Sequence, residues 1–215
     1  METVDAVFIS HRHRDHVAGS AAERSGELPA DGSLPDLDGK PLISPAPVSY
    51  PGATTVVADR ARKLFEGVAT TGPITRSLFM GPVDEQALVV HVAGRGLVVI
   101  IGCGHQTVPG LLHRLTSAFG ELLYGMVGDF HYPVPEGRLR IAGLDAQRLF
   151  ASGDGPFKPI TKAQAQAELG MLDRLQLLAL GGHDTSDEVI AWAAERFGDR
   201  FKHVKVGQAI VVQAP

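Results

Sequence analysis

A short histidine-rich segment that follows an apolar strand constrains this chain more than any other feature. Residues 4–16 read Val-Asp-Ala-Val-Phe-Ile and then Ser-His-Arg-His-Arg-Asp-His. Alternate side chains of a strand share a face, so His11 and His13 can point together. A turn after them can bring Asp15 and His16 to a second point nearby. Imidazole and carboxylate groups suit zinc, iron or manganese, and three imidazoles with one carboxylate are too many for one closed structural site. We therefore interpret the segment as half of a two-metal site. The alternative is a polar loop that happens to be rich in His and Arg.

Apolar segments that end at a histidine or an aspartate recur at three later points of the chain. Glycine directly precedes His105, Asp129 and His183. Because glycine lets the backbone turn sharply, the side chain at each strand end can face a common cleft. Each residue alone would more often be an ordinary hydrogen-bonded side chain. Together with the first cluster, they supply the ligands that a dinuclear site still lacks.

The composition predicts an ordinary folded protein. The 215 residues are 44% hydrophobic and 20% charged, with a net charge of −4 and no basic tract, which argues against nucleic acid as a partner. No apolar run is long enough to cross a bilayer and no signal-peptide pattern precedes the first strand, so we expect no membrane association. Cys103 is the only cysteine, which excludes an intrachain disulfide and predicts a reducing, cytoplasmic location.

Strands alternate with helices along the chain, which predicts an α/β fold with ligand-type residues at the carboxyl ends of strands. A hairpin is expected over residues 88–101, and a helix over residues 108–119. Two further helices are expected to begin after the N-cap residues Thr161 and Ser186.

Three other stretches carry weaker patterns. The proline-rich stretch at about 25–52 predicts a surface excursion, either a lid or a long connection, because proline excludes long helices and central strands. Residues 58–65 are expected to form a helical turn or two. Residues 204–212 are expected to close the chain in extended structure.

The spacing of the histidines and aspartates resembles the metallo-β-lactamase superfamily of dinuclear hydrolases. Residues 11–16 match its phrase His-x-His-x-Asp-His, and the isolated ligands of the superfamily are matched by His105, Asp129 and His183. Longer phrases resemble one branch, named for a dihydropterin–ribofuranosyl-aminobenzene phosphate synthase of methanopterin biosynthesis. These phrases are Thr70–Ile74, Asp84–Val90, Gly102–His105 and Gly128–His131.

The resemblance implies an α/β fold of the four-layer αβ/βα sandwich type. We expect a single domain over residues 1–215, with the proline-rich excursion at about 25–52. Superfamily members normally run several strands before the histidine cluster, whereas only ten residues precede His11. The first sheet should therefore lack several N-terminal strands. An unpaired sheet edge would favour a homo-oligomer.

The resemblance also implies a set of seven metal ligands. The first ion would be held by His11, His13 and His105, the second by Asp15, His16 and His183, with Asp129 as the bridge. The branch usually has glycine where this chain has Asp129, and it keeps the histidine that corresponds to His131. Either Asp129 bridges the ions, or His131 acts as a ligand, a proton donor or a substrate contact. We favour Asp129 as the ligand, with His131 outside the direct contacts of the metal. Asp184 also departs from the branch, which usually has cysteine there.

The implied function is a metal-dependent hydrolase with two divalent ions, zinc first and iron or manganese as alternatives. Such ions lower the pKa of bound water to about 7, and the metal-bound hydroxide would attack an ester, a lactone or a phosphoester. Asp15 would orient the nucleophile or pass on its proton, and His131 is the second candidate for that donation. The substrate would be a small molecule, and an anionic one if Arg12 and Arg14 face it rather than solvent. Cys103 is interpreted as a buried thiol beside the site.

Two other functions stay open. The branch name implies a metal-dependent transferase that joins a pterin methylene carbon to an arylamine phosphate. The second alternative is a degenerate scaffold that binds metal or ligand without turnover; the short start favours it and the complete ligand set opposes it. Dependence on a pterin co-substrate would identify the transferase, whereas metal binding without hydrolysis would identify the scaffold.

Overall fold

The computed structural model of the chain describes residues 4–29, 37 and 39–215, which form a mixed α/β structure. The α/β class predicted from the sequence is thereby confirmed. Within these residues, no helix has both the length and the apolar character that crossing a bilayer requires. That the whole chain is one domain stays a prediction.

Fourteen strands and five α-helices occur in the described residues. The strands are β1 (Val7–Phe8), β2 (Pro41–Ser44), β3 (Thr54–Val57), β4 (Arg62–Phe65), β5 (Val68–Thr70), β6 (Ile74–Leu78), β7 (Gly81–Glu85), β8 (Leu88–Val92), β9 (Gly96–Ile100), β10 (Leu123–Gly128), β11 (Arg140–Ile141), β12 (Leu144–Asp145), β13 (Leu177–Leu180) and β14 (Phe201–His203). The helices are α1 (Ser20–Ser25), α2 (Val108–Ala118), α3 (Ala146–Phe150), α4 (Lys162–Gly170) and α5 (Asp187–Phe197).

A seven-stranded sheet in the order β14-β13-β10-β9-β8-β5-β4 forms the body of the structure. The predicted hairpin over 88–101 is confirmed as the antiparallel pair β8 and β9. Strands β9, β10 and β13 are parallel neighbours, so their carboxyl ends lie at one edge of the sheet. Because His105, Asp129 and His183 follow these three strands, the sheet brings them to that edge.

Helices α2, α4 and α5 pack their apolar residues against this sheet. Leu111 of α2, Leu169 of α4 and Ala193 of α5 are completely buried, as are Val99 and Leu178 of the sheet. Burying a leucine side chain stabilises a fold by roughly 1.5–3 kcal/mol. The packing therefore holds in place the strands that carry the site.

Side-chain hydrogen bonds cap the N-termini of α4 and α5. The Thr161 hydroxyl accepts the backbone N–H of Gln164, whose side chain accepts the N–H of Thr161 in return. The Ser186 hydroxyl accepts the N–H of Val189 at the start of α5. Both predicted N-caps are confirmed, and each such cap contributes about 1 kcal/mol.

A three-stranded parallel sheet in the order β1-β2-β3 carries the first histidine cluster. β2 is its central strand, so the expectation that the prolines exclude a central strand between residues 25 and 52 was wrong. Pro41 is the first residue of β2, a position where a strand tolerates a missing N–H, and Leu42 and Ile43 behind it are buried. Residues 30–36 and 38 of the predicted excursion lie outside the described residues.

Two other local predictions were also wrong. Residues 62–65, predicted as helical, form β4, which pairs antiparallel with β5. Whether such a short segment forms a strand depends more on pairing with a neighbouring strand than on local propensity. At the end of the chain, the last strand stops at His203, and residues 204–212 form no strand.

One buried side chain ties the two sheets together. Gln86, between β7 and β8, donates its side-chain N–H to the Ile9 carbonyl (2.8 Å) and accepts from the Thr70 hydroxyl (2.7 Å). Its backbone N–H donates to the Ser10 carbonyl (2.9 Å). Gln86 is completely buried. The segment that carries the first histidines is thus fastened to the large sheet.

We expect Gln86→Leu to lower the free energy of unfolding by about 1–3 kcal/mol, because the Ile9 carbonyl and the Thr70 hydroxyl lose their buried partner. Chemical denaturation measures this change. Gln208→Leu, at an exposed position, is the matched control and should change the free energy by less than about 0.5 kcal/mol. Equal effects of the two replacements would contradict the role assigned to Gln86.

Candidate metal centre

Three histidines from the two sheets meet in one group, the first triad, made of the buried His11 and His105 and the half-buried His13. His11 and His13 follow β1, and His105 follows β9. One ring nitrogen from each lies within 4.8 Å of the other two. His11 Nε2 is 3.1 Å from His13 Nδ1, and the ring centres of His13 and His105 are 4.7 Å apart. The structure thus brings the three residues predicted for the first ion together.

The second triad consists of Asp15, His16 and His183, whose ligand atoms also lie within 4.8 Å of one another. His183 Nε2 is 2.9 Å and His16 Nε2 is 3.5 Å from Asp15 Oδ2. The His16 ring centre is 4.2 Å from that of His11, so the two triads are neighbours. The side chains of Asp15 and His183 are 47% and 54% exposed, so the cleft opens to solvent on this side.

A turn over residues 14–18 separates the two triads, as the sequence predicted. The backbone N–H of His16 donates to the His13 carbonyl (2.8 Å), which reverses the chain between the two groups of ligands. Arg12 donates to the Pro47 carbonyl (3.0 Å). This hydrogen bond links the histidine-rich segment to the loop that contains Pro47.

Asp184 and His131 complete the donor set between the triads. Asp184 Oδ2 lies 3.4 Å from His131 Nδ1 and 3.9 Å from His183 Nε2. Asp184 shares one group of close donors with His105 and His131, and another with Cys103 and His183. It therefore adjoins both triads.

The structure does not bring Asp129 into the donor groups formed by the other predicted ligands. Asp129 Oδ1 accepts the Thr185 hydroxyl (2.8 Å), the Thr185 N–H (3.2 Å) and the Asp184 N–H (3.4 Å). Within the described part of the chain, Asp129 belongs to none of the groups of close metal-type donors. The Asp129 carboxylate contacts the loop after β13 through its Oδ1. Asp129 positions the loop that carries Asp184.

Two buried residues that the sequence reasoning missed support this arrangement. Gln147 donates to Asp184 Oδ1 (2.6 Å) and so leaves the other oxygen facing the histidines. Glu85 accepts the backbone N–H groups of Gly104 (2.9 Å) and His105 (2.8 Å). Glu85 lies in the phrase Asp84–Val90 that resembles the branch, so the sequence offered a reason to expect it near the site. No sequence motif marks Gln147.

Burial favours the neutral form of four histidines of the site. Desolvation, with the neighbouring imidazoles, lowers the pKa of His11 from 6.5 to about 2. Desolvation is also the main cause that lowers the pKa of His13 and of His16, and it lowers the pKa of His105 well below its ordinary value. Neutral imidazole is the form that binds a metal.

The two carboxylates of the cleft are ionised. Burial favours the neutral form of Asp15, but a backbone hydrogen bond and the rings of His16 and His183 lower its pKa overall. Burial also favours the neutral form of Asp184, but the adjacent His131 outweighs this effect. The pKa of Asp184 is therefore lowered as well. Carboxylates in this form are ligands for divalent metals.

The chemistry of these donors fits a metal. Both ring nitrogens of His105 and both of His131 are buried and make no hydrogen bond to the described residues. A buried polar atom without a partner costs about 1–3 kcal/mol, and a metal ion is a partner for neutral imidazole. By contrast, His91, His113 and His203 belong to no donor group in the part of the chain that the structure describes.

Cys103 also lies in the cleft, but its environment does not suit a nucleophile. Burial, with the negative charge of Asp184, raises the pKa of the Cys103 thiol. A thiol attacks as thiolate, so this environment suppresses its reactivity.

The pH dependence of stability tests the burial of the first triad. An unfolded histidine gains a proton below pH 6.5, whereas folded His11 gains one only near pH 2, so stability is present above pH 6.5 and is lost as the pH falls. His11 alone contributes about 1.4 kcal/mol per pH unit in this window. In metal-free protein, His11→Gln should reduce the slope of unfolding free energy against pH by this amount, as measured by denaturation at several pH values.

The control for this experiment is His203→Gln, which replaces an exposed histidine and should keep the original slope. An unchanged slope in His11→Gln would contradict the neutral, buried state of His11.

Comparison with known proteins gives structural matches only. No family model matches the sequence, and no curated protein matches it. A metal-dependent hydrolase of the β-lactamase superfamily aligns with 97% of this chain and 80% of its own, at a TM-score of 0.65 and 16% identity. An isothiocyanate hydrolase from Delia radicum gut bacteria aligns with 99% of this chain and 78% of its own, at a TM-score of 0.57 and 16% identity.

These alignments confirm the predicted sandwich, since they span nearly the whole chain. The resemblance to the synthase branch stays a prediction. The chain has the fold of the metal-dependent hydrolases of the β-lactamase superfamily.

Proposed function

We propose that this protein is a metal-dependent hydrolase that binds two divalent ions and acts on a small ester, lactone or phosphoester. The observation that carries the proposal is the pairing of two donor triads in one cleft, the first mostly buried and the second open to solvent. A structural zinc site is closed by four protein ligands, whereas each triad leaves a position for water or substrate. The fold shared with metal-dependent hydrolases supports the same function.

Each ion has its own set of protein ligands in this proposal. The first is held by His11, His13 and His105, and the second by Asp15, His16 and His183. Asp184 would serve both ions, because its carboxylate adjoins both triads. Zinc suits imidazole and carboxylate ligands, with iron and manganese as alternatives.

When bound, two such ions would activate water at neutral pH and would polarise the carbonyl or phosphoryl oxygen of the substrate. The protein must then move protons. Asp15 is ionised and half-exposed, so it can take the proton of the attacking water and pass it to a leaving group on the solvent side. His131 is only 4% exposed and lies behind Asp184, which favours positioning of that carboxylate over proton donation.

The exposure of the second triad defines how a substrate reaches the cleft. The first triad is less accessible, because His11 and His105 are almost completely buried and His13 is half-buried. Asp15 and His183 face solvent. A small molecule therefore approaches from the side of the second triad, with its reactive centre directed toward the first.

Metal content and turnover test the proposal together. Protein purified without chelator or affinity-tag metal should contain about two zinc, iron or manganese ions per chain by elemental analysis. It should hydrolyse members of a panel of activated esters, lactones and phosphoesters, lose this activity on metal removal and regain it when metal is returned. Protein that binds no metal would contradict the proposal. Metal binding without turnover would identify a degenerate scaffold, and dependence on a pterin co-substrate would identify the transferase.

Asp184→Asn and Asp129→Asn are a matched pair of replacements. The first removes the charge that adjoins both triads, so we expect the loss of about one ion per chain and a fall in kcat/KM of more than about 100-fold. The second keeps Oδ1 as the acceptor for Thr185 and removes only a charge outside the donor groups, so metal content and kcat/KM should stay near the original values. The reverse result would return the bridging role to Asp129.

A further inference from the structure

The sulfur of Cys103 lies in the wall of the donor cleft. Sγ is 3.1 Å from His16 Nε2, and the residue is only 2% exposed. Cys103 shares one group of close donors with His11 and His16, and another with His183 and Asp184. Both groups contain a member of the second triad. The sulfur therefore adjoins that triad from its buried side.

Close backbone contacts hold Cys103 in this position. A Cβ on Gly102 would lie 2.4 Å from Ser10 Oγ. A Cβ on Gly104, whose φ is +78°, would lie 2.4 Å from the Asp129 carbonyl oxygen. Only glycine fits on either side, so the loop packs tightly against both neighbouring segments. The sulfur is thus placed by the fold and not by a flexible side chain.

The second triad offers three protein ligands and shares Asp184 with the first ion, and zinc can take a fifth ligand. We propose that Cys103 is a further ligand of the ion held by the second triad, and that this ion is zinc. The inference rests on the proposed metal centre. Thiolate is a preferred ligand of zinc, whereas manganese prefers oxygen ligands. When the metal–sulfur bond forms from a sulfur lone pair, the S–H bond breaks and its proton passes to the buffer, with no change of oxidation state.

A second observation independently points to a metal at this cleft. His105, in the same loop as Cys103, is buried with both ring nitrogens free of hydrogen bonds to the described residues. Cys103 and His105 therefore present sulfur and nitrogen to the cleft from one short, tightly packed segment.

Cobalt(II) substitution tests this assignment. Cys103 is the only cysteine, so any thiolate-to-cobalt charge-transfer band in the near ultraviolet must come from it. The full chain, stripped with a chelator and refilled with cobalt(II), should show this band together with visible d–d bands. Cys103→Ser should lose the charge-transfer band, keep the d–d bands and bind zinc about 10–100-fold more weakly. His113→Ser, at an exposed position, should keep both sets of bands.

X-ray absorption at the zinc edge of the unmodified protein provides a measurement that does not depend on how a variant folds. One sulfur at about 2.3 Å from zinc is expected. Bound zinc or cobalt with only nitrogen and oxygen neighbours would overturn the role of Cys103 and leave the proposed metal centre intact. A protein that binds neither metal would overturn both.

Discussion

Two adjacent buried side chains, Glu85 and Gln86, hold both sides of the donor cleft in place. Glu85 accepts the N–H groups of Gly104 and His105, and Gln86 donates to the Ile9 carbonyl. The first triad draws its histidines from two different sheets, so its geometry depends on this link. Burial raises the pKa of Glu85 to about 7 even though its two backbone hydrogen bonds act in the opposite direction. A buried carboxyl group destabilises a fold unless it has hydrogen-bond partners. The stability of the fold therefore depends on the loop that supplies the N–H groups of Gly104 and His105.

The cleft combines a buried half and an open half, and the two have different physical requirements. In the buried half, desolvation keeps imidazoles such as His11 neutral and ready to coordinate. In the open half, a backbone hydrogen bond and the adjacent His16 and His183 lower the pKa of Asp15 despite partial burial. Neutral imidazoles and ionised carboxylates are the forms that divalent metals need at neutral pH.

The carboxylates of Asp129 and Asp184 divide two tasks between them. Asp129 uses its Oδ1 to hold the loop after β13, and that loop presents Asp184 to the cleft. Gln147 then fixes the orientation of the Asp184 carboxylate. Asp129, which lies outside the groups of close donors among the described residues, therefore helps to set the geometry of Asp184, which adjoins both triads.

Much of the fold and most of the donor set follow from the sequence alone. Local patterns determined the hairpin, the N-caps Thr161 and Ser186 and the placement of histidines after strands, because hydrophobic period, capping and glycine turns depend on near neighbours in the chain. Only the tertiary structure decided that β2 is central, that β4 is a strand and that Asp184, and not Asp129, lies in the groups of close donors among the described residues. These features depend on strand pairing, which joins residues that are far apart in sequence. A local sequence pattern therefore cannot predict where a side chain at a strand end points.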